Sequence, residues 1–258
     1  GRELLTCLFA VLGAKAQTNE VQLDADGIMR MGAPVTIVTI VNSITAGYSN
    51  TSPYWAWPAQ LGRMLGPDYQ VLNYAVSGTT MNLHINSSFR NTDNYPKAKA
   101  ADPDILVIAH GTNDAHEGWW KSWGHLFTDD YRSMVASFRE DGRNPILYCT
   151  LPPPVFSASR AEQNVNITQH VIPSVKQVAA KVGAEVIAFN PPFVGRNDCF
   201  PDNVHPSDPT AGRMAGIVKD IILPRQLLTS QVKVKRGTIV SPTMAVVEPG
   251  SSVTLLPS

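Results

Sequence analysis

The chain has 258 residues, enough for one large α/β domain with a small appendage. With 43% hydrophobic and 16% charged residues it can build a substantial core. Its 21 basic residues balance 21 acidic ones without a long run of either sign, which argues against nucleic-acid or anionic-membrane partners, since both favour a cationic footprint.

Leu4 to Leu12 is an apolar stretch too short to span a bilayer. Ala14-Lys15-Ala16 follows it with the small-x-small pattern of a secretory cleavage site. Residues 1 to 16 therefore read as a signal-peptide remnant, against the alternative of a buried N-terminal helix. No other segment reads as a membrane span, so a secreted or periplasmic protein is expected.

From residue 34 the chain alternates strand-like and helix-like segments. Pro34 to Val41 is a β-branched run opened by a proline, tolerated at a strand's first position. A helix over Trp55 to Leu65 follows, then strands over Tyr69 to Val76 and Asp104 to His110. Leu126 to Glu140 is helical, with Tyr131, Met134, Val135 and Phe138 at i, i+3, i+4, i+7 spacing. A fourth strand, Pro145 to Thr150, runs into Leu151-Pro152-Pro153-Pro154, which must leave the sheet. Gln163 to Val182 reads as a long helix kinked or restarted at Pro173, Ala184 to Phe189 as the fifth strand, and Thr210 to Ile222 as the closing helix.

This alternation, with continuous apolar strands, implies a three-layer α/β/α domain over residues 34–223 around a five-stranded parallel sheet. Residues 224–258 change character and read as a β-rich tail or the start of an accessory β module. Cys7 lies in the leader, while Cys149 and Cys199 are either a disulfide or two independent buried thiols. No cysteine or histidine spacing suggests a metal, and no cofactor is expected.

Ligands of such sheets bind beyond the C-terminal strand ends. Ser43, Gly78 and Asn113 fall directly after the first three strands, and His205 lies in the loop before the last helix, three residues after Asp202. An aspartate at that spacing can turn back onto Nδ1 of the histidine and leave Nε2 free to deprotonate a hydroxyl. A glycine after strand two lets a backbone N–H approach a reacting carbonyl, and an asparagine amide after strand three can donate to the same oxygen. Asp208 is placed to cap the last helix.

Four blocks carry a resemblance: Asn42-Ser43, Ser77-Gly78, Gly111-Thr112-Asn113-Asp114 and Asp202-Asn203-Val204-His205. The chain resembles the SGNH hydrolases, the GDSL-type lipase and esterase superfamily. The resemblance implies Ser43 as nucleophile, His205 as base and Asp202 as its orienter. It also implies an oxyanion hole from the Ser43 and Gly78 N–H groups and the Asn113 side chain, on a five-stranded, flavodoxin-like parallel sheet. Val41-Asn42 stands where the family usually has Gly-Asp, and a β-branched residue there crowds the turn that presents Ser43.

The expected activity is a secreted serine esterase that removes O-acetyl groups from a carbohydrate, since Asn42-Ser43-Ile44-Thr45, Leu151-Pro152-Pro153-Pro154-Val155-Phe156 and the stretch from Phe200 to Pro206 resemble bacterial sialate O-acetylesterase-like members. Two rivals stand beside it: a carboxylesterase or lipase on short-chain or aryl esters, and an inactive carbohydrate-binding pseudoenzyme. Trp55, Trp119, Trp120 and His116 are the expected substrate contacts, because tryptophans at the mouth can stack on sugar rings.

Overall fold

The computed structural model describes residues 34–228 and, before them, the strands Leu5–Leu8, Thr18–Leu23 and Met29–Met31, which pair antiparallel. Of the expected leader only Leu5–Leu8 is described. The expected β appendage lies outside the described residues, save where the last helix runs on into it.

The main sheet has five parallel strands: β1 (Val35–Val41), β2 (Tyr69–Asn73), β3 (Ile105–Ala109), β4 (Ile146–Leu151) and β5 (Glu185–Ala188). Their spatial order is β2-β1-β3-β4-β5. β1 and β3 are buried almost throughout because apolar residues on both faces meet helices, which is why they read as unbroken apolar runs. The edge strand β2 is shorter than its apolar pattern suggests. Past Asn73, whose side chain accepts the Ala75 N–H at 3.1 Å, the Tyr74 and Val76 N–H groups still reach the Thr39 and Val41 carbonyls of β1 at 2.9 and 2.6 Å.

The helices are α1 (Ser43–Ala46), α2 (Trp57–Leu65), α3 (Asn94–Ala100), α4 (Glu117–Trp123), α5 (Phe127–Ser137), α6 (Ala161–Asn166), α7 (Ile172–Val182) and α8 (Asp208–Leu228). On one sheet face Val38, Ile40, Leu106, Ile108 and Leu147 pack with Tyr131, Met134, Phe138, Val175 and Val178 of the α5 and α7 side. On the other, Ile37, Ile105, Val107 and Tyr148 pack with Trp57, Leu61, Met214 and Val218 of α2 and α8. Cys149 sits in the first cluster and Cys199 in the second, and both are free thiols.

The long helix expected over Gln163 to Val182 is one path with a defect. A π turn, Ile167–Val171, joins α6 to α7, and the Ile172 N–H bonds the Ile167 carbonyl five residues back. Pro173 explains it: lacking an N–H and crowding the preceding turn, proline forces the ladder to widen.

Candidate active site

β1 ends at Val41, whose φ of 127° lies in the region that L side chains avoid. The next residue, Asn42, caps α1: its Oδ1 accepts the Ile44 N–H at 3.1 Å. Because Asn42 is the cap, the Ser43 hydroxyl is not consumed in that role. The single-turn helix stops at Gly47, at φ 86°, where a Cβ would lie 2.6 Å from the Ala56 Cβ.

Ser43 Oγ lies 2.8 Å from His205 Nε2, and His205 Nδ1 lies 2.7 Å from Asp202 Oδ2. The second carboxylate oxygen, Oδ1, accepts the backbone N–H of His205 at 2.7 Å and of Val204 at 3.0 Å. A carboxylate only accepts, so the His205 proton sits on Nδ1 and Nε2 is left to take the serine proton. Burial raises the Asp202 pKa, but the His205 backbone and ring together with the Val204 N–H outweigh it and lower the carboxyl to about 2. Ser49 Oγ adds a hydrogen bond to Oδ2 at 3.0 Å.

The loop that carries this pair is pinned on several sides. Phe156 N–H bonds the Asn203 carbonyl at 2.8 Å, and Ser207 N–H bonds the Cys199 carbonyl at 3.0 Å. Asp208 does not cap α8 as expected. Its carboxylate takes the Asn50 amide at 2.9 Å, the Thr51 N–H at 3.1 Å and the Thr51 hydroxyl, because the nucleophile loop lies against the helix start.

Gly78 has φ 80°, and space around its would-be Cβ is open, so backbone conformation and not crowding calls for glycine there. At Gly111 crowding adds to conformation: φ is 116° and a Cβ would lie 2.4 Å from Val171 Cγ1. From this turn Asn113 extends its Nδ2 to the Thr79 carbonyl at 2.9 Å, leaving its second N–H for another acceptor. Gln163 and Asn166 of α6 hold the same turn from below through the Thr112 and Ala115 carbonyls, at 2.6 and 3.1 Å.

Asp114 lies under the turn, buried, with Oδ1 accepting the Met81 N–H at 2.9 Å and the Asn82 N–H at 3.0 Å. Burial pushes its carboxyl up to about 6 despite these bonds. His110, also fully buried with Nδ1 3.9 Å from Asp114 Oδ2, has its pKa driven well down by burial and is a neutral core imidazole.

The four expected substrate contacts fall into two other clusters. Trp55 is exposed beside Tyr54, whose ring carries the Arg63 guanidinium at 3.6 Å. His116 and Trp119 tilt against one another at 5.3 Å, while Trp120 packs on Phe127 and stacks on His170. Trp57 is fully buried against Phe189. Tyr48, which sequence reasoning passed over, is 62% exposed with its ring 4.7 Å from that of His205. Its place in the chain, five residues past Ser43, was the available signal.

Two shallow hollows adjoin these loops, the first lined by Asn42, Ile44 and Thr45 and the second by Trp119, Trp120 and Trp123. Among the described residues no group of three His, Cys, Asp or Glu side chains is placed to hold a metal ion.

The chain is 30% identical over 204 residues to an acetylxylan esterase of Xylanibacter ruminicola. That match covers 71% of this chain and 42% of the relative, so the chain spans less than half of that protein. Its fold is similar to that of a carbohydrate acetylesterase from Sinorhizobium meliloti, with a TM-score of 0.58 at 17% identity over 74% of this chain and 99% of that one. It is similar also to an aryl esterase of M. smegmatis, with a TM-score of 0.57 at 14% identity over 73% and 98%. Residues 42–211 match the GDSL-like lipase/acylhydrolase family, a span that runs from the Asn42 cap past His205, and the chain belongs to that family.

Proposed function

We propose that the chain is a serine esterase that hydrolyses O-acetyl esters on a carbohydrate. The observation that carries this reading is the relay from Ser43 Oγ through His205 to Asp202, at 2.8 and 2.7 Å. Ser43 attacks the acetyl carbonyl as His205 Nε2 takes its proton, and the Asp202 carboxylate steadies the imidazolium. The developing oxyanion is met by the N–H groups of Ser43 and Gly78 and the second N–H of Asn113. As a first-turn residue of α1, Ser43 has no intrahelical acceptor for its N–H, which supports that role. Collapse expels the sugar hydroxyl, protonated by His205, and water then attacks the acetyl-enzyme with His205 again as base.

The relative named an acetylxylan esterase supports an acetyl group as the acyl part and a glycan as the alcohol part. Exposed Tyr48 beside His205, and the exposed pair Tyr54 and Trp55, offer faces on which sugar rings stack. A series of p-nitrophenyl esters tests the acyl preference. The expected kcat/KM is highest for acetyl and falls by about tenfold or more once several methylenes must find room. Peak activity on long chains would instead indicate a lipase.

A further inference from the structure

Three donors on three separate loops must converge on one oxygen atom, and chain connectivity alone does not set their mutual positions. Thr79, 4% exposed, joins all three loops. Its hydroxyl lies 3.0 Å from the Val41 carbonyl, two residues before Ser43, and 2.8 Å from the Val76 carbonyl, where the Gly78 turn begins. Its own carbonyl accepts one Asn113 N–H at 2.9 Å. Gly78 precedes it directly in the chain.

We infer that Thr79 is the positioning residue of the oxyanion site. Its hydroxyl ties the nucleophile turn to the Gly78 turn, and its carbonyl aims Asn113 by occupying one of the two amide protons. The single hydroxyl proton is shared between the Val41 and Val76 carbonyls, and the Val76 N–H adds a second bond to Val41 at 2.6 Å. Those two donors explain why Val41 keeps φ 127°, which a β-branched residue holds only where its surroundings over-determine it. Thr80 makes a local contact instead, its hydroxyl reaching the Asn82 carbonyl at 3.4 Å within the same loop.

The inference rests on Ser43 being the nucleophile, so Ser43→Ala runs beside the test. Thr79→Val keeps the side-chain shape and removes the hydroxyl. On p-nitrophenyl acetate its kcat should fall about tenfold, below the 10²–10³ for losing a whole oxyanion donor, with KM within about twofold. Thr79→Ser should recover kcat to within about twofold of the parent, because it restores the bond. Thermal melts establish that each variant is folded, and Thr79→Ala replaces the valine variant if that one is not. A kcat within about twofold of the parent without the hydroxyl, a loss carried by KM, or a serine variant as impaired as valine each overturns the inference. Where Ser43→Ala is inactive, such a result counts against Thr79 alone. If Ser43→Ala matches the parent, the nucleophile assignment fails and the inference falls with it.

Discussion

Val41 occupies a backbone region that costs a non-glycine residue on the order of 1–3 kcal/mol. Its isopropyl group is fully buried in the core, and burying a valine contributes about 1.5–3 kcal/mol. The two effects are of one size, so the residue persists where the family usually has glycine. Valine should therefore be replaceable by glycine at little net cost, but not by alanine. Alanine forfeits the packing and keeps the strain, whereas glycine forfeits the packing and loses the strain. Urea unfolding should place Val41→Gly above Val41→Ala by about 1 kcal/mol or more, inverting the usual order within strands. Alanine equal to or above glycine would remove the strain argument. The sequence marked Val41 as irregular but could not show its φ, which is set by bonds to Val76 and Thr79 more than thirty positions away. Thr79 itself was invisible for a similar reason, since a hydroxyl residue after a glycine is ordinary turn composition.

At the scale of elements, the site forms where β1 has β2 on one side and β3 on the other. The turns after β2 and β3 meet through Asp114, whose buried carboxyl has a folded-state pKa near 6, above the ordinary value near 4. The fold thus binds that proton more tightly than the unfolded chain does. The group's stabilising contribution is complete below about pH 4 and is lost as pH rises through about 6, on the order of 3 kcal/mol at most. Asp114→Asn can keep the Oδ1 bonds to Met81 and Asn82 without the charge. It should make the unfolding midpoint rise more steeply with pH between about 4 and 6, because the neutral buried His110 stabilises the fold as pH rises there and the Asp114 contribution opposes it; Asp202, lowered to about 2, titrates outside this window. An unchanged slope would mean that Asp114 is ionised throughout. Strands were the most legible elements because burial on both faces writes continuous apolar runs. The helices α1, α3 and α4 were not, being too short to show an apolar stripe. Pro173 signalled a break in the long helix, yet its outcome as a π turn depended on packing that the sequence does not display.

Across the whole molecule, the β2-β1-β3-β4-β5 order reverses direction between β1 and β3, the switch point at which open parallel sheets leave a crevice for ligands. Ser43 and Asn113 follow those two strands, and the last loop brings His205 back to Ser43 across 162 residues. The four blocks were readable because each sits where a strand must end. The aromatic surroundings were not, because a tryptophan reads the same in sequence whether it is buried against Phe189, as Trp57 is, or exposed like Trp55. The central claim is that Ser43 is the nucleophile of an esterase, and released acetate tests it most directly. Acetylated xylan and p-nitrophenyl acetate, given to the parent and to Ser43→Ala, should yield acetate with the parent and about 10³-fold less or lower with the variant. Equal release by the two proteins, or none by the parent, would contradict the account.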